Sequence, residues 1–247
     1  MNEPTILFKN NSVVVVDKPS GLIVHSDGKT EEPTLAEWFI KHFPEAEGVG
    51  EPLTLSDGRV IERPGIVHRL DRDTSGAIIL TRTQEAFLDI KEQFKKRKVE
   101  KVYHTYVFSW FKEEDIEGII DNPIGRSGKD FRRRSARKGA KGKLRSALTK
   151  YRVIRQGRDR KSNEPAAFLE VRPKTGRTHQ IRAHLTAINH QIVCDPLYAE
   201  ARPCILGFNR LALHASEITF SVDKEKVNVE APLPTDFKEA ESQLIIA

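Results

Sequence analysis

Apolar positions in this chain fall in short runs separated by longer polar stretches. Val13–Val16 and Ala77–Leu80 are continuous apolar runs, the pattern of strands buried on both faces. Asp17-Lys18-Pro19 ends the first of them, and Pro19-Ser20-Gly21 turns the chain. Val102 to Phe108 reads as a strand with Tyr103 and Thr105 on one face and Val102, His104 and Tyr106 on the other. Ala167–Val171 predicts another strand, and two more are expected at 210–215 and 217–222. Helical spacing occurs in three places. Thr34 can cap a short helix through His42, with Leu35, Trp38 and Phe39 on one face. Thr83 can cap a helix to about Lys98, with Ala86, Ile90 and Phe94 on the buried face and Phe87 beside them. Thr178 can cap a helix from His179 to Ile188, with Ile181, Leu185 and Ile188 inward and Asn189 as the left-handed residue that ends it. Residues 44–65 read as a long loop holding a small hairpin around Asp57-Gly58. There are no internal repeats or heptads. Strands mixed with few, separated helices predict an α+β fold rather than a regular βαβ alternation.

The 247 residues suit one large domain or two small ones. Only two cysteines occur, Cys194 and Cys204; they suit a reduced, cytoplasmic protein better than a disulfide scaffold. No His or Cys grouping has zinc spacing. Met1-Asn2-Glu3-Pro4 lacks the plan of a signal peptide, and no apolar run approaches the roughly 20 residues that cross a bilayer. A soluble protein with no membrane partner is expected, and a monomer, since no pairing surface is evident.

Charge changes the picture. The formal net charge is only +6, yet Arg126 to Lys161 holds sixteen Lys or Arg against two Asp, a local +14 that leaves the rest of the chain at −8. Such asymmetry points to a polyanion met by one segment of a mostly acidic body. The run includes Arg132-Arg133-Arg134, and Phe131 interrupts it; this composition suits a flexible arm that contacts RNA phosphates, the alternative being a solvated loop without a partner. Lys95 to Lys98 crowd the end of the second helix, where they either complement its dipole or meet RNA.

The densest chemistry lies in His68-Arg69-Leu70-Asp71-Arg72-Asp73-Thr74-Ser75-Gly76, directly before the Ala77–Leu80 run. One carboxylate, Asp71, stands between two arginines on a loop that feeds a rigid core strand. Flanking cations keep a carboxylate ionised and stand where an RNA backbone could lie. The order His-Arg-Leu-Asp-x-x-Thr-Ser-Gly resembles the active-site signature of the RluA-type pseudouridine synthases at every position. Val15–His25 is similar to the family's first motif, Lys101-Val102-Tyr103 to its Lys-x-Tyr element, and Pro173–Leu185 to its third motif. Arg210–Ala215 and Ala231-Pro232-Leu233-Pro234 resemble its closing segment, so the resemblance covers roughly residues 13 to 237 in family order.

This resemblance implies a single catalytic domain, a largely antiparallel mixed sheet with flanking helices and an RNA-binding cleft. It implies isomerisation of uridine to pseudouridine in rRNA, large-subunit rRNA foremost, or in tRNA, with no metal and no nucleotide or other cofactor. Asp71 becomes the catalytic aspartate, as nucleophile or as base. Tyr103 becomes the active-site tyrosine that stacks on the base and can carry a proton at C5, and Ile181 the apolar contact beneath that base. Arg182 is favoured as the salt-bridge partner of Asp71; Arg177 could serve equally or meet a phosphate. Arg69 matches the arginine that fills the space left by a flipped base. His68 contacts RNA or fixes the loop; Arg72, Thr74 and Arg132–Arg134 complete the expected RNA contacts. The chain departs from the family at Gln191, where Pro is usual, and at Cys194, where Gly is usual. It also lacks room before Val13 for the small S4-type domain many relatives carry. Two other functions are open to these residues. His68, Asp71 and Asp73 could hold a nuclease metal, which Arg69 and Arg72 disfavour. A non-catalytic RNA-binding protein could use the basic segment alone.

Overall fold

A computed structural model describes residues 3–26, 28, 31–55 and 57–246; Met1 and Asn2, read above for a leader, lie outside them. In chain order the elements are β1 (Thr5–Lys9), β2 (Val13–Lys18), α1 (Leu35–His42), β3 (Leu53–Thr54), β4 (Val60–Ile61), β5 (Ser75–Thr81) and α2 (Gln84–Lys95). Then follow β6 (Glu100–Phe108), β7 (Glu117–Ile120), β8 (Ile124–Arg126), β9 (Arg134–Ser135), β10 (Lys141–Arg145), β11 (Thr149–Asp159) and β12 (Pro165–Pro173). The last are α3 (Gln180–Ala187), β13 (Leu213–Val222), β14 (Glu225–Glu230), α4 (Thr235–Gln243) and β15 (Leu244–Ile245). The fold is α+β, as strands mixed with few, separated helices predict. No helix among the described residues is long and apolar enough to cross a membrane.

The chain forms two compact units, residues 1–100 with 215–232, and residues 101–214 with 233–247. In the first, strands run in the order β1-β2-β5-β13, and β14 pairs with β13. The valine run of β2 lies antiparallel to β5, Val13 opposite Thr81 and Lys18 opposite Gly76, and every residue of β5 is buried. Gly76 is required there: its φ is +115°, and a Cβ would stand 2.2 Å from the Ala215 carbonyl oxygen. α1 starts at a reciprocal capping box, Thr34 taking the Glu37 N–H while Glu37 takes the Thr34 N–H. Thr83 caps α2 through the Ala86 N–H; Ala86 and Ile90 are buried against Ile79, Ile218 and Phe220, and Phe87 is buried beside them on the helix. Fully burying one such side chain contributes about 1.5–3 kcal/mol. Lys95 and Lys96 both pair with Glu92 on the helix surface. β3 and β4 form the small hairpin expected around Asp57.

The second unit carries strands in the order β6-β12-β11-β15, with β7 also on β11. Its core gathers Phe108, Leu169, Leu185, Phe208 and Phe237 around Tyr106, whose buried hydroxyl titrates well above the ordinary range. Two expectations are corrected here. Strands expected at 210–215 and 217–222 are one strand, Leu213–Val222, because Ser216 interrupts the apolar run without interrupting the ladder. Thr149–Asp159, within the supposed arm, is an interior strand of the sheet.

Buried histidines give this unit an acid limit. His184 is fully buried; its Nε2 donates to the Asn122 carbonyl at 2.9 Å and its Nδ1 accepts from Thr149 Oγ1 at 2.8 Å. Burial lowers the pKa of His184, and of His104 and His190. The unfolded chain therefore takes up these protons first as pH falls through about 6.5, and stability present above that value is lost below it. Urea melts at pH 7.5 and 5.5 should show a lower midpoint at 5.5, a difference that His184→Gln reduces; equal midpoints would refute this.

Candidate active site

The loop before β5 is built by its neighbours in the first unit. Lys18 is 0% exposed, and its Nζ donates to the carbonyls of Pro19, Leu22 and Arg72 at 2.8, 2.9 and 2.9 Å. Gly21 N–H also donates to the Arg72 carbonyl at 2.9 Å, and Ser20 Oγ to that of Asp73 at 2.7 Å. The first sequence motif is thus a clamp on the peptide groups that follow Asp71. Thr74 N–H closes the turn onto the Asp71 carbonyl at 3.2 Å. His68 fixes the loop's other side: its Nε2 accepts the Ile79 N–H at 2.9 Å, and its ring lies 4.7 Å from that of Phe94. That bond fits the loop-fixing role for His68. Leu70 is buried, Arg69 exposed and Asp71 half-buried, so the loop presents alternate side chains outward. Arg72 is exposed and paired with Glu32. Thr74, expected among the RNA contacts, is 2% exposed, a placement that suits support of the turn.

In the second unit Tyr103 sits half-buried on β6 opposite Val171 and packs against the core. Burial, with repulsion from Lys174 added, brings the neighbouring Lys101 ammonium down to about 8. The third motif does not start its helix through Thr178. His179 is the N-terminal residue, left-handed at φ 53°, and Gln180 supplies the tie instead. Its Oε1 accepts from Arg177 N–H at 3.0 Å and Thr175 Oγ1 at 2.6 Å, while its Nε2 donates to Leu148 O and Thr149 Oγ1. A side-chain amide that ties the start of β11 to the turn before α3 leaves no Ser or Thr cap pattern to read. Asn189 ends the helix at φ 66°, as expected.

Arg182 is 4% exposed, and its Nε and Nη2 donate to the two carboxylate oxygens of Asp195 at 2.8 Å each. This bidentate pair aims the guanidinium and fixes its plane. Asp195 also accepts the N–H groups of Leu197 and Tyr198. The sequence motifs give Asp195 no role; its only mark there is as the one acid of the Cys194–Tyr198 stretch. Ile181, beside it, is 6% exposed and belongs to the core. Arg177, half-buried, donates through Nε to the Ser146 carbonyl.

Residues 124–145 form a small sheet of order β10-β8-β9 in place of a flexible arm. Arg132 and Arg133 build its turn: Arg132 clamps Asp130, holding that carboxyl down to about 2, and Arg133 reaches Glu200 at 2.6 Å. Tyr198 Oη accepts the Arg134 N–H at 2.8 Å and donates to the Arg134 carbonyl at 3.1 Å, tying the small sheet to the segment that holds Arg182.

Cys194, expected as a free thiol, is joined to Cys204, with their Cα atoms 4.8 Å apart. The chain turns sharply after Cys194, which is left-handed at φ 55°, and brings Cys204 back beside it. Scarcity of cysteine therefore no longer argues for a reducing compartment. Thiol titration of the unfolded, unreduced protein should find no thiol, and two after reduction; two before reduction would overturn the pairing.

Comparison with known proteins accounts for this geometry. Residues 12–187 match the family model described as RNA pseudouridylate synthase. The chain is 32% identical over 235 residues to an uncharacterized RNA pseudouridine synthase of Synechocystis, covering 94% of this chain and 66% of that protein. It is 30% identical over 260 residues to a ribosomal large subunit pseudouridine synthase D of Zymomonas mobilis, covering 100% of this chain and 76% of that protein. The chain thus spans about two thirds to three quarters of the length of these relatives. Among solved structures, human RNA pseudouridylate synthase domain containing 1 superposes with a TM-score of 0.72 at 26% identity, over 94% of this chain and 84% of that one. With its Asp71 loop clamped ahead of β5 and its third motif wired into α3, the chain belongs to the RNA pseudouridylate synthase family.

Proposed function

We propose that this chain isomerises uridines of RNA to pseudouridine, with large-subunit rRNA as the foremost substrate class and tRNA the second. The observation that carries the proposal is the Asp71 loop, in which the first motif clamps the chain on one side and His68 on the other. The reaction breaks N1–C1′, turns the detached uracil and joins C5 to C1′, so it needs a fixed carboxylate and a site that holds a loose base away from water. Asp71 is the catalytic carboxylate in this reading, Tyr103 the stacking and proton-carrying ring, and Arg182 the cation that accompanies the chemistry. Support for Arg182 is its fixed, buried guanidinium, a preorganised charge of the kind that stabilises developing charge. Arg69, exposed on the same loop as Asp71, takes the place of the extruded base, and Arg177 meets phosphate. The name of the Zymomonas relative supports rRNA as substrate.

The test is tritium release from transcripts made with 5-³H-uridine, with rRNA and tRNA in parallel and EDTA present. Release with EDTA establishes C5 substitution and names the RNA class. A wild-type protein that binds both RNAs and releases no tritium from either would remove the enzymatic reading and leave the binding one.

A further inference from the structure

The β8-β9-β10 sheet carries an arrangement that its own fold does not need. Lys141 on β10 lies directly opposite Arg126 on β8, and Arg126 lies directly opposite Arg134 on β9. Directly opposed residues share a face, so three cations stand in one row across three strands. Like charges so placed repel and destabilise the sheet. Among the described residues no carboxylate pairs with any of the three, whereas Arg132 and Arg133 beside them are paired. The row extends roughly 10 Å at ordinary strand spacing, which matches a run of phosphates better than a single ion.

The connection between β8 and β9 adds an aromatic. Phe131 is 87% exposed, more than any other large apolar side chain described. It is not on a loose loop. Ser127 Oγ accepts the N–H groups of Lys129 and Asp130, Arg133 N–H donates to the Asp130 carbonyl at 3.1 Å, and Asp130 holds Arg132. A turn with this many internal bonds that displays a bare ring is preorganised to place that ring against something flat.

We propose that the β8-β9-β10 sheet is a recognition surface for unpaired RNA, in which the Arg126-Arg134-Lys141 row takes successive phosphates and Phe131 stacks on an exposed base. Base stacking on an aromatic ring requires a base outside a duplex, so the surface selects loops or single strands over continuous helix. The proposal deepens the reading of the chain as an RNA-modifying enzyme: it concerns which part of the RNA is held, not the uridine that reacts.

The experiment measures binding of the full chain to a fluorescein-labelled 12-nucleotide single strand and to a duplex of equal length. Phe131→Ala should weaken the single strand about 5- to 100-fold, the range of one lost stacking contact, and change the duplex less than twofold. Phe131→Trp should restore binding, and its added fluorescence should be quenched by the single strand. Arg126→Gln with Lys141→Gln should reduce the salt slope for the single strand by about 1.4, two phosphates' worth. Because Phe131 is 87% exposed, an unchanged melting temperature for Phe131→Ala is the folding control. Single-strand binding by Phe131→Ala equal to wild type, or an equal loss on duplex and single strand, would overturn the proposal. Wild-type turnover decides separately. A protein that releases tritium while Phe131→Ala binds like wild type retains its function without this surface; a protein that releases none while Phe131→Ala binds weakly retains the surface without that function.

Discussion

Asp71→Asn should stop tritium release while leaving RNA affinity within a few-fold of wild type. The substitution keeps the side chain's size on a loop whose backbone is held from other directions. Lys18, Gly21 and Ser20 bond to the carbonyls of Arg72 and Asp73, and His68 bonds to Ile79, so none of those ties involves the Asp71 carboxylate. What is lost is a negative charge and a lone pair able to act as nucleophile or base. A positioned acid or base contributes about 10²–10⁴-fold, and loss of a nucleophile removes more, so turnover should fall by at least about 10³-fold. The measurement is single-turnover tritium release beside a filter-binding titration. A variant with more than a tenth of wild-type turnover would remove Asp71 from the chemistry.

Lys18→Met should cost both stability and rate. The side chain is fully buried and its ammonium serves three backbone carbonyls from three places in the chain. Met fills similar volume but donates nothing. The Pro19 and Leu22 carbonyls lose the donor described for them, while the Arg72 carbonyl keeps only Gly21 N–H. Each buried acceptor left unsatisfied costs about 1–3 kcal/mol, so a total near 3–5 kcal/mol is expected. For a chain of this size that corresponds to a melting temperature roughly 10 °C lower. The loop then loses its anchor one residue after Asp71, and a displacement of about 1 Å at a reacting group can cost roughly 10²-fold in rate. Calorimetry and tritium release on the same preparation check both. A melting temperature within 2 °C of wild type, by the same roughly 2–4 °C per kcal/mol scale, would show that water replaces the ammonium without loss.

The two variants separate what a sequence can carry from what it cannot. Asp71 was legible because nine consecutive residues around it follow a family order and an apolar run follows them. Lys18 was legible only as part of a motif; its partners are carbonyls, which any residue possesses, and no side-chain pattern announces them. Arg182 and Asp195 show the same asymmetry. The arginine stands in a recognisable helix motif, whereas its carboxylate lies thirteen positions later in a stretch that departs from the family at Gln191 and Cys194. The basic segment reads as a flexible arm because alternating Lys, Arg and Gly resemble disorder in composition. Its order comes from Asp130, Glu200 and Tyr198, two of them more than sixty residues away.

By itself the sequence determined the buried strands β2 and β5, the capped helices α1 and α2, the α+β class and the loop that bears Asp71. These depend on periodicity, on side-chain caps within four residues and on motif order, all of which are local. Only the tertiary structure decided the bidentate hold on Arg182, the ammonium clamp under the Asp71 loop, the pairing of Cys194 with Cys204 and the row of opposed cations on the small sheet. Each of those depends on partners that no side-chain spacing announces, and the polar ones are settled by where a polar group can be satisfied once the apolar core has closed.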